Sequence, residues 1–357
     1  MKRFLSDPLL RFIDSGLLDY SYLESERYPI DLSLGINPLG CSDKVKDFLR
    51  STNLDINNYP EVMSDSLRGK IGAVYGFEKE EILIGVGASE LFHLCLLSFI
   101  NQGDEVVMPK ISFPGFEFLT ILVGGKPDLI PFTADLDLEY ERIQNLISQK
   151  TKAIIFCNPN NPTGKKLNKE EVKKLFSQNL DKIFIIDEAN IDFGGESAID
   201  LVKSNENLLV VRSFSKGFGL AGLRVGFIVG SVEIICALKR RQTPFTVNIF
   251  AQEAAKVALD DLGFLARSKT YSQTERAYLE NCLSKLGYSF INSDSNYLLV
   301  NISSHFNDSK EFVERANKKG VNVVDGNNFR GLGGKFVRLC PRLHQINEAF
   351  IGVLKEI

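Results

Sequence analysis

Residues 208–230 read LLVVRSFSKGFGLAGLRVGFIVG. An apolar run gives way to small residues carrying one lysine, Lys216, and one arginine, Arg224, before a second apolar run follows. Near-continuous Val, Ile and Leu without polar alternation is what a sheet covered on both faces requires. Comparable runs stand at 81–87 (EILIGVG), 104–109 (DEVVMP), 153–159 (AIIFCNP) and 182–189 (KIFIIDEA). Helical stretches lie between them, such as 89–101, opening on Ser89 and Glu90, and 168–178, where Asn168 is placed to cap and Glu170 and Glu171 occupy the first turn. The alternation predicts an α/β fold with a mostly parallel sheet.

Beyond about residue 245 the pattern changes. A long helix is predicted from 248 towards Gly287, then strands at 296–302, 321–324 and 335–340 and helices at 308–319 and 345–355. The expected division is an N-terminal segment (1–40) belonging to a small domain, a large domain (41–248), and a long interdomain helix with a smaller α+β domain (249–357).

Composition excludes several classes of function. In 357 residues, 42 Lys and Arg face 45 Asp and Glu, a net charge of −3, and basic stretches such as KKLNKEEVKK are interleaved with acids. No footprint for nucleic acid results. Six scattered cysteines without a C-x-x-C pair and three histidines suggest neither a disulfide framework nor a metal site. The apolar run LFHLCLLSFI (91–100) is half the length of a membrane span, and the first sixteen residues break their apolar run with Ser, Asp and Pro. A cytoplasmic protein without membrane contact is the expectation.

Lys216 carries the chemical question. GFGLAG (217–222) matches G-x-G-x-x-G after a strand, but LKRRQ (238–242) stands about where a dinucleotide site needs an acid for the ribose. A plain structural loop is a second reading. The third is an imine-forming lysine among small neighbours that leave room for a flat cofactor, with Ser213, Ser215 and Arg224 as a phosphate cup. Asp187 ends an apolar strand, either as a surface carboxylate or as the acid that keeps a pyridine nitrogen protonated. CNPNNPTG (157–164) is turn chemistry whose Asn161 could donate to a ring oxygen, and GVGASEL (85–91) opens a helix whose Ala88 and Ser89 amides suit a phosphate. All four segments follow predicted strands, where ligands bind in open α/β sheets.

NPNNPTG, DEANIDF and SFSKGFGLAGLRVG, in this order, resemble the fold-type I pyridoxal-phosphate enzymes of the class I/II aminotransferase group, nearest to their histidinol-phosphate aminotransferase and threonine-phosphate decarboxylase branches. The resemblance implies a seven-stranded sheet and pyridoxal 5′-phosphate attached to Lys216. It places Asp187 at the pyridine nitrogen and Asn161 beside the ring oxygen. The phosphate falls to Ser213, Ser215, Arg224, Ala88 and Ser89. Phe113 would stack on the ring with Phe116 beside it. Tyr59, in NNYPEV (57–62), would reach the partner subunit's cofactor phosphate, making a homodimer with a composite site. Arg338 would hold the substrate carboxylate, with Arg342 and Asn37 as further substrate residues.

Two positions depart from the family. Asn190 stands where an aromatic residue, often a tyrosine bonded to the ring oxygen, is usual. Val324 stands where the decarboxylase branch has an arginine for the substrate phosphate, which counts against a phosphorylated substrate unless Arg330 replaces it. The expected activity is transamination of a small amino acid or related amine. The alternatives are decarboxylation on the same cofactor and a non-catalytic ligand-binding relative.

Overall fold

The structure, a computed structural model, describes residues 4–17 and 28–357. In chain order the strands are β1 (Ile30–Asp31), β2 (Ile82–Gly85), β3 (Glu105–Pro109), β4 (Lys126–Ile130), β5 (Thr151–Cys157), β6 (Ile183–Asp187), β7 (Leu208–Ser213), β8 (Gly226–Val229), β9 (Ser289–Ile291), β10 (Leu298–Asn301), β11 (Val321–Asn322), β12 (Val324–Asp325) and β13 (Phe336–Leu339). Seven form one sheet in the order β2-β8-β7-β6-β5-β3-β4, in which only β8 runs against the rest.

The unbroken apolar runs are explained by two cores. Ile154 and Phe156 of β5, Phe184 and Ile186 of β6, and Leu208 and Val210 of β7 enter one core with Val172, Phe176 and Ala254 from helices. Their chain neighbours Ile155, Ile185, Leu209 and Val211 enter the other with Leu91, Phe92 and Phe116. Side chains alternate across a strand, so a strand with a core on each face must be apolar at every position.

A second sheet, β12-β13-β10-β9, is antiparallel and packs with Leu279, Phe312 and Phe350 from helices at Leu262–Lys285, Ser309–Lys318 and His344–Leu354. Leu32, beside β1, joins this core, and β1 pairs in parallel with β11.

Three sequence expectations need correction. The helix predicted from 248 to Gly287 is two helices, Ile249–Leu259 and Leu262–Lys285. The break falls at Asp260 and Asp261, poor helix formers, where Lys44 donates to the Asp260 carbonyl at 3.0 Å and Lys70 to its carboxylate at 2.5 Å. The strand expected over 321–324 is split between two sheets at Val323, with Val321 paired to Ile30 and Val324 to Arg338. The seventh large-sheet strand, β4, has no apolar run to announce it: KPDLI is an edge strand, the location where a Pro such as Pro127 is tolerated.

Ile154, fully buried, and Leu180, 74% exposed, separate core packing from surface apolarity. Ile154→Ala should cost about 2–5 kcal/mol in urea unfolding. Leu180→Ala should stay within about 0.5 kcal/mol.

Candidate functional site

β2, β3, β5, β6 and β7 all end on the same edge of the large sheet, and their exit segments carry Ala88 and Ser89, Phe113, Asn161, Asp187 and Lys216. The parallel order brings these segments together, although they span more than a third of the chain.

A buried ion pair fixes the central two exits. Glu188, directly after β6, is 1% exposed and binds Arg212 of β7 at 2.9 Å to Nη2 and 3.1 Å to Nε. It also accepts from the Ser197 hydroxyl at 2.7 Å and the Ala198 amide at 2.5 Å. With its lone pairs satisfied, the pair escapes the penalty of a bare buried charge. It ties together the ends of β6 and β7, where Asp187 pairs with Val211, two residues before Ser213. The sequence reading passed over both partners, yet an arginine inside LLVVRS and a second acid directly after Asp187 were the available signal.

Asp187 is 8% exposed, accepts from the Ala189 amide at 2.9 Å, and is pushed up to about 6 chiefly by burial. Lys216 is partly buried, and desolvation brings its amine down to about 8, opposed next by Cys340, with Arg338 and Arg224 adding repulsion and Asp187 a smaller attraction. A carboxyl raised and an amine lowered towards neutrality are the perturbations expected of a reactive site.

Ser213, Ser215 and Arg224, expected from the sequence to form a phosphate cup, are joined by hydrogen bonds. Ser213 Oγ accepts from the Ser215 amide at 3.0 Å, and Ser215 Oγ accepts from Arg224 Nη1 at 3.2 Å. Arg224 itself has φ 55°, a left-handed conformation costing about 1–3 kcal/mol outside glycine and found mainly where a site demands it. The helix Gly87–Phe99 begins against this loop: a β-carbon on Gly87 would lie 2.5 Å from Arg224 Nη2, and one on Gly226 would lie 3.1 Å from the Ala88 amide. Gly87, at φ 78°, thus lets an arginine and a helix N-terminus approach one point, suited to a dianion.

Opposite, the second sheet supplies Arg338, 4% exposed. Its Nη1 donates to Asn161 Oδ1 at 2.8 Å and its Nη2 to the Ser33 carbonyl at 2.5 Å, while Nε has no partner among the described residues. The guanidinium lies over Tyr297, 4.8 Å from the ring centroid, and over Phe329 at 5.5 Å. Tyr297 in turn donates to Asn190 Oδ1 at 3.1 Å. No sequence reading singled out Tyr297, which looked like the start of an ordinary strand.

Other expected residues fall in different places. Phe113 caps the helix Pro114–Leu122 at the site, edge-on to Phe116. Phe116 is 1% exposed and packs on Phe92 as core, contributing only to the wall of a cavity of about 520 Å³ that Lys110, Ser112, Phe113 and Arg330 also line. Arg330 is paired with Glu117, and Val324 packs among Ile111, Leu299 and Phe329. Asn37 spends its amide on the Gly217 carbonyl at 2.7 Å and Ser268 at 2.8 Å, bracing the lysine loop. Arg342 has its backbone tied to Asn347 beside Cys340. Tyr59 is 80% exposed, and its ring stacks on Phe245. Among the described residues no cluster of His, Cys, Asp or Glu is arranged for a metal, and no helix is long and apolar enough to cross a membrane.

The donor set fits pyridoxal 5′-phosphate: a buried acid for a pyridinium N–H, a desolvated amine for an aldehyde, and a cationic cup for a phosphate. Comparison with known proteins agrees. Residues 28–349 match the family model described as aminotransferase class I and II. A histidinol-phosphate aminotransferase of Methanosphaera stadtmanae is 31% identical over 94% of this chain and 92% of its own. The crystal structure of the histidinol-phosphate aminotransferase from Clostridium acetobutylicum superposes with a TM-score of 0.85 at 26% identity, covering 92% of this chain and 98% of that one. That from Sinorhizobium meliloti, solved in complex with pyridoxal-5′-phosphate, shares the fold with a TM-score of 0.86 at 19% identity, over 99% and 98% of the two chains. The chain therefore belongs to the class I and II aminotransferases and is a pyridoxal-phosphate-dependent aminotransferase.

Proposed function

We propose that the enzyme transaminates an amino acid or related amine, and that the residues at the strand ends divide the work as follows. The observation that carries the reading is the juxtaposition of Lys216, Asp187 and the Ser213–Ser215–Arg224 cup with Arg338 arriving from the second sheet. Bound pyridoxal phosphate supplies an aldehyde for the substrate amine and a ring that disperses the negative charge left at Cα. Lys216 anchors the cofactor and, once freed by substrate, carries the proton from Cα. Its amine, brought down to about 8, takes up and returns that proton near neutral pH. Asp187, beside the cationic ring N–H, is ionised and keeps that proton in place. Arg338 turns its unpartnered Nε and its Nη atoms to the substrate carboxylate. Asn161 and Asn190 serve the ring oxygen.

The relatives named above are histidinol-phosphate aminotransferases. In this chain the two side chains considered for a substrate phosphate are otherwise engaged, Val324 in an apolar cluster and Arg330 with Glu117. The reading therefore stays with an amino acid or amine, phosphorylated ones included as arms of the test. Purified holoenzyme should form a keto product from its amino donor in step with amination of an added keto acid. Carbon dioxide in place of the keto product would replace transamination by decarboxylation.

The active unit is read as a homodimer with Tyr59 reaching the partner's phosphate cup. Ile56 (75% exposed), Tyr59, Val62 (49%) and Phe245 (36%) form an apolar surface that a monomer leaves in water. Lys216→Ala should be inactive and Tyr59→Ala impaired. Unfolding and refolding the two together should restore about a quarter of wild-type activity, because half the dimers then hold one intact composite site. A monomer by sedimentation, or no recovery on mixing, would contradict the composite site.

A further inference from the structure

Asn190 follows the acid-bearing end of β6, and its turn packs directly on the lysine loop: a β-carbon on Gly217 would fall 2.4 Å from Asp192 Cβ. Its side-chain amide is 5% exposed and offers two faces of nearly equal shape, a donor and an acceptor, which a flip exchanges. An electron-rich ring oxygen is served only by the donor face. The flip is decided by what holds the other face, and that is the Tyr297 hydroxyl, donating to Oδ1 at 3.1 Å from a residue 107 positions away.

Tyr297 is itself immobile. It is 3% exposed, the Arg338 guanidinium covers its ring, and the ring sits where Gly35 leaves space: a β-carbon there would fall 2.6 Å from Cε1 and 2.9 Å from the hydroxyl. In the flipped arrangement Nδ2 would donate to the phenol oxygen, but the phenol proton would lose its acceptor and Asn190 would point an oxygen at an oxygen. Both changes leave buried polar groups without a satisfying partner, which disfavours the flip.

We propose that Tyr297 is a positioning residue that locks the Asn190 amide with Nδ2 turned to the ring oxygen of the cofactor. The tyrosine and the asparagine together supply an oriented donor at the position where relatives carry an aromatic side chain. The proposal rests on Asn190 facing that oxygen, as read above.

The test is the pH midpoint of the visible absorption of bound cofactor in holoenzyme. A donor at the ring oxygen draws charge from it and loosens the proton shared there, so losing the donor raises the midpoint. Asn190→Ala should raise it by about half a unit or more. Tyr297→Phe, which keeps the ring under Arg338, should raise it in the same direction with little change in the KM of the amino donor. Adding Tyr297→Phe to Asn190→Ala should produce no further shift. If Asn190→Ala shifts the midpoint but Tyr297→Phe does not, or if the two shifts add, Tyr297 does not act through Asn190. An unmoved midpoint in Asn190→Ala overturns the placement of Asn190 and the proposal with it. Thermal melting of each variant confirms that the comparison is between folded proteins.

Discussion

Burial brings the Lys216 amine down to about 8 and pushes the Asp187 carboxyl up to about 6, and neither is relieved by pairing with the other. Burying two such groups near each other is costly, because desolvation disfavours the charged form of each. The rest of the fold can be understood as support for that condition. The Glu188–Arg212 pair absorbs the other charges at the ends of β6 and β7 into a closed network with Ser197 and Ala198. Asn37 braces the carbonyl of Gly217, next to the lysine. In the proposed reading, pyridoxal phosphate would complete what the protein leaves open, a cation for Asp187 and an electrophile for Lys216.

The two sheets contribute different kinds of group. The large sheet delivers the lysine, the acid and the phosphate cup on the ends of parallel strands, where the register of β5, β6 and β7 leaves little freedom. The second sheet delivers Arg338 and Tyr297 on or beside antiparallel neighbours: Arg338 of β13 pairs with Leu299, two residues after Tyr297. One arm runs from Arg338 to Asn161 and the other from Arg338 across the face of Tyr297 to Asn190. Arg338 is thus in contact with Asn161 directly and with Asn190 through Tyr297.

The large sheet was legible because both of its faces are buried, which forces apolar residues at consecutive positions, and because Lys216 and Arg224 are the sole charges of the small-residue run 213–226. β4 escaped notice since an edge strand tolerates Pro127 and Asp128. The break falls at Asp260 and Asp261, poor helix formers, and the lysines that bond Asp260, Lys44 and Lys70, come from some two hundred residues upstream. Tyr297–Asn190 was out of reach because the two lie 107 positions apart and their separate readings are ordinary, whereas Glu188 and Arg212 carried a local signal, an acid and an arginine within apolar strand segments. Asn37 was marked as a substrate residue, while the structure commits its amide to the lysine loop. Asn190 looked like a simple loss until the hydroxyl on its far side came into view.

The account stands on Lys216 as the point of covalent attachment. Borohydride reduction of holoenzyme followed by peptide mapping by mass spectrometry tests it directly. The visible absorption should disappear, and the mass of the reduced cofactor should be carried by the peptide containing Lys216. Recovery of the label on another lysine, or an unmodified Lys216 peptide from protein that held the cofactor, would contradict the account.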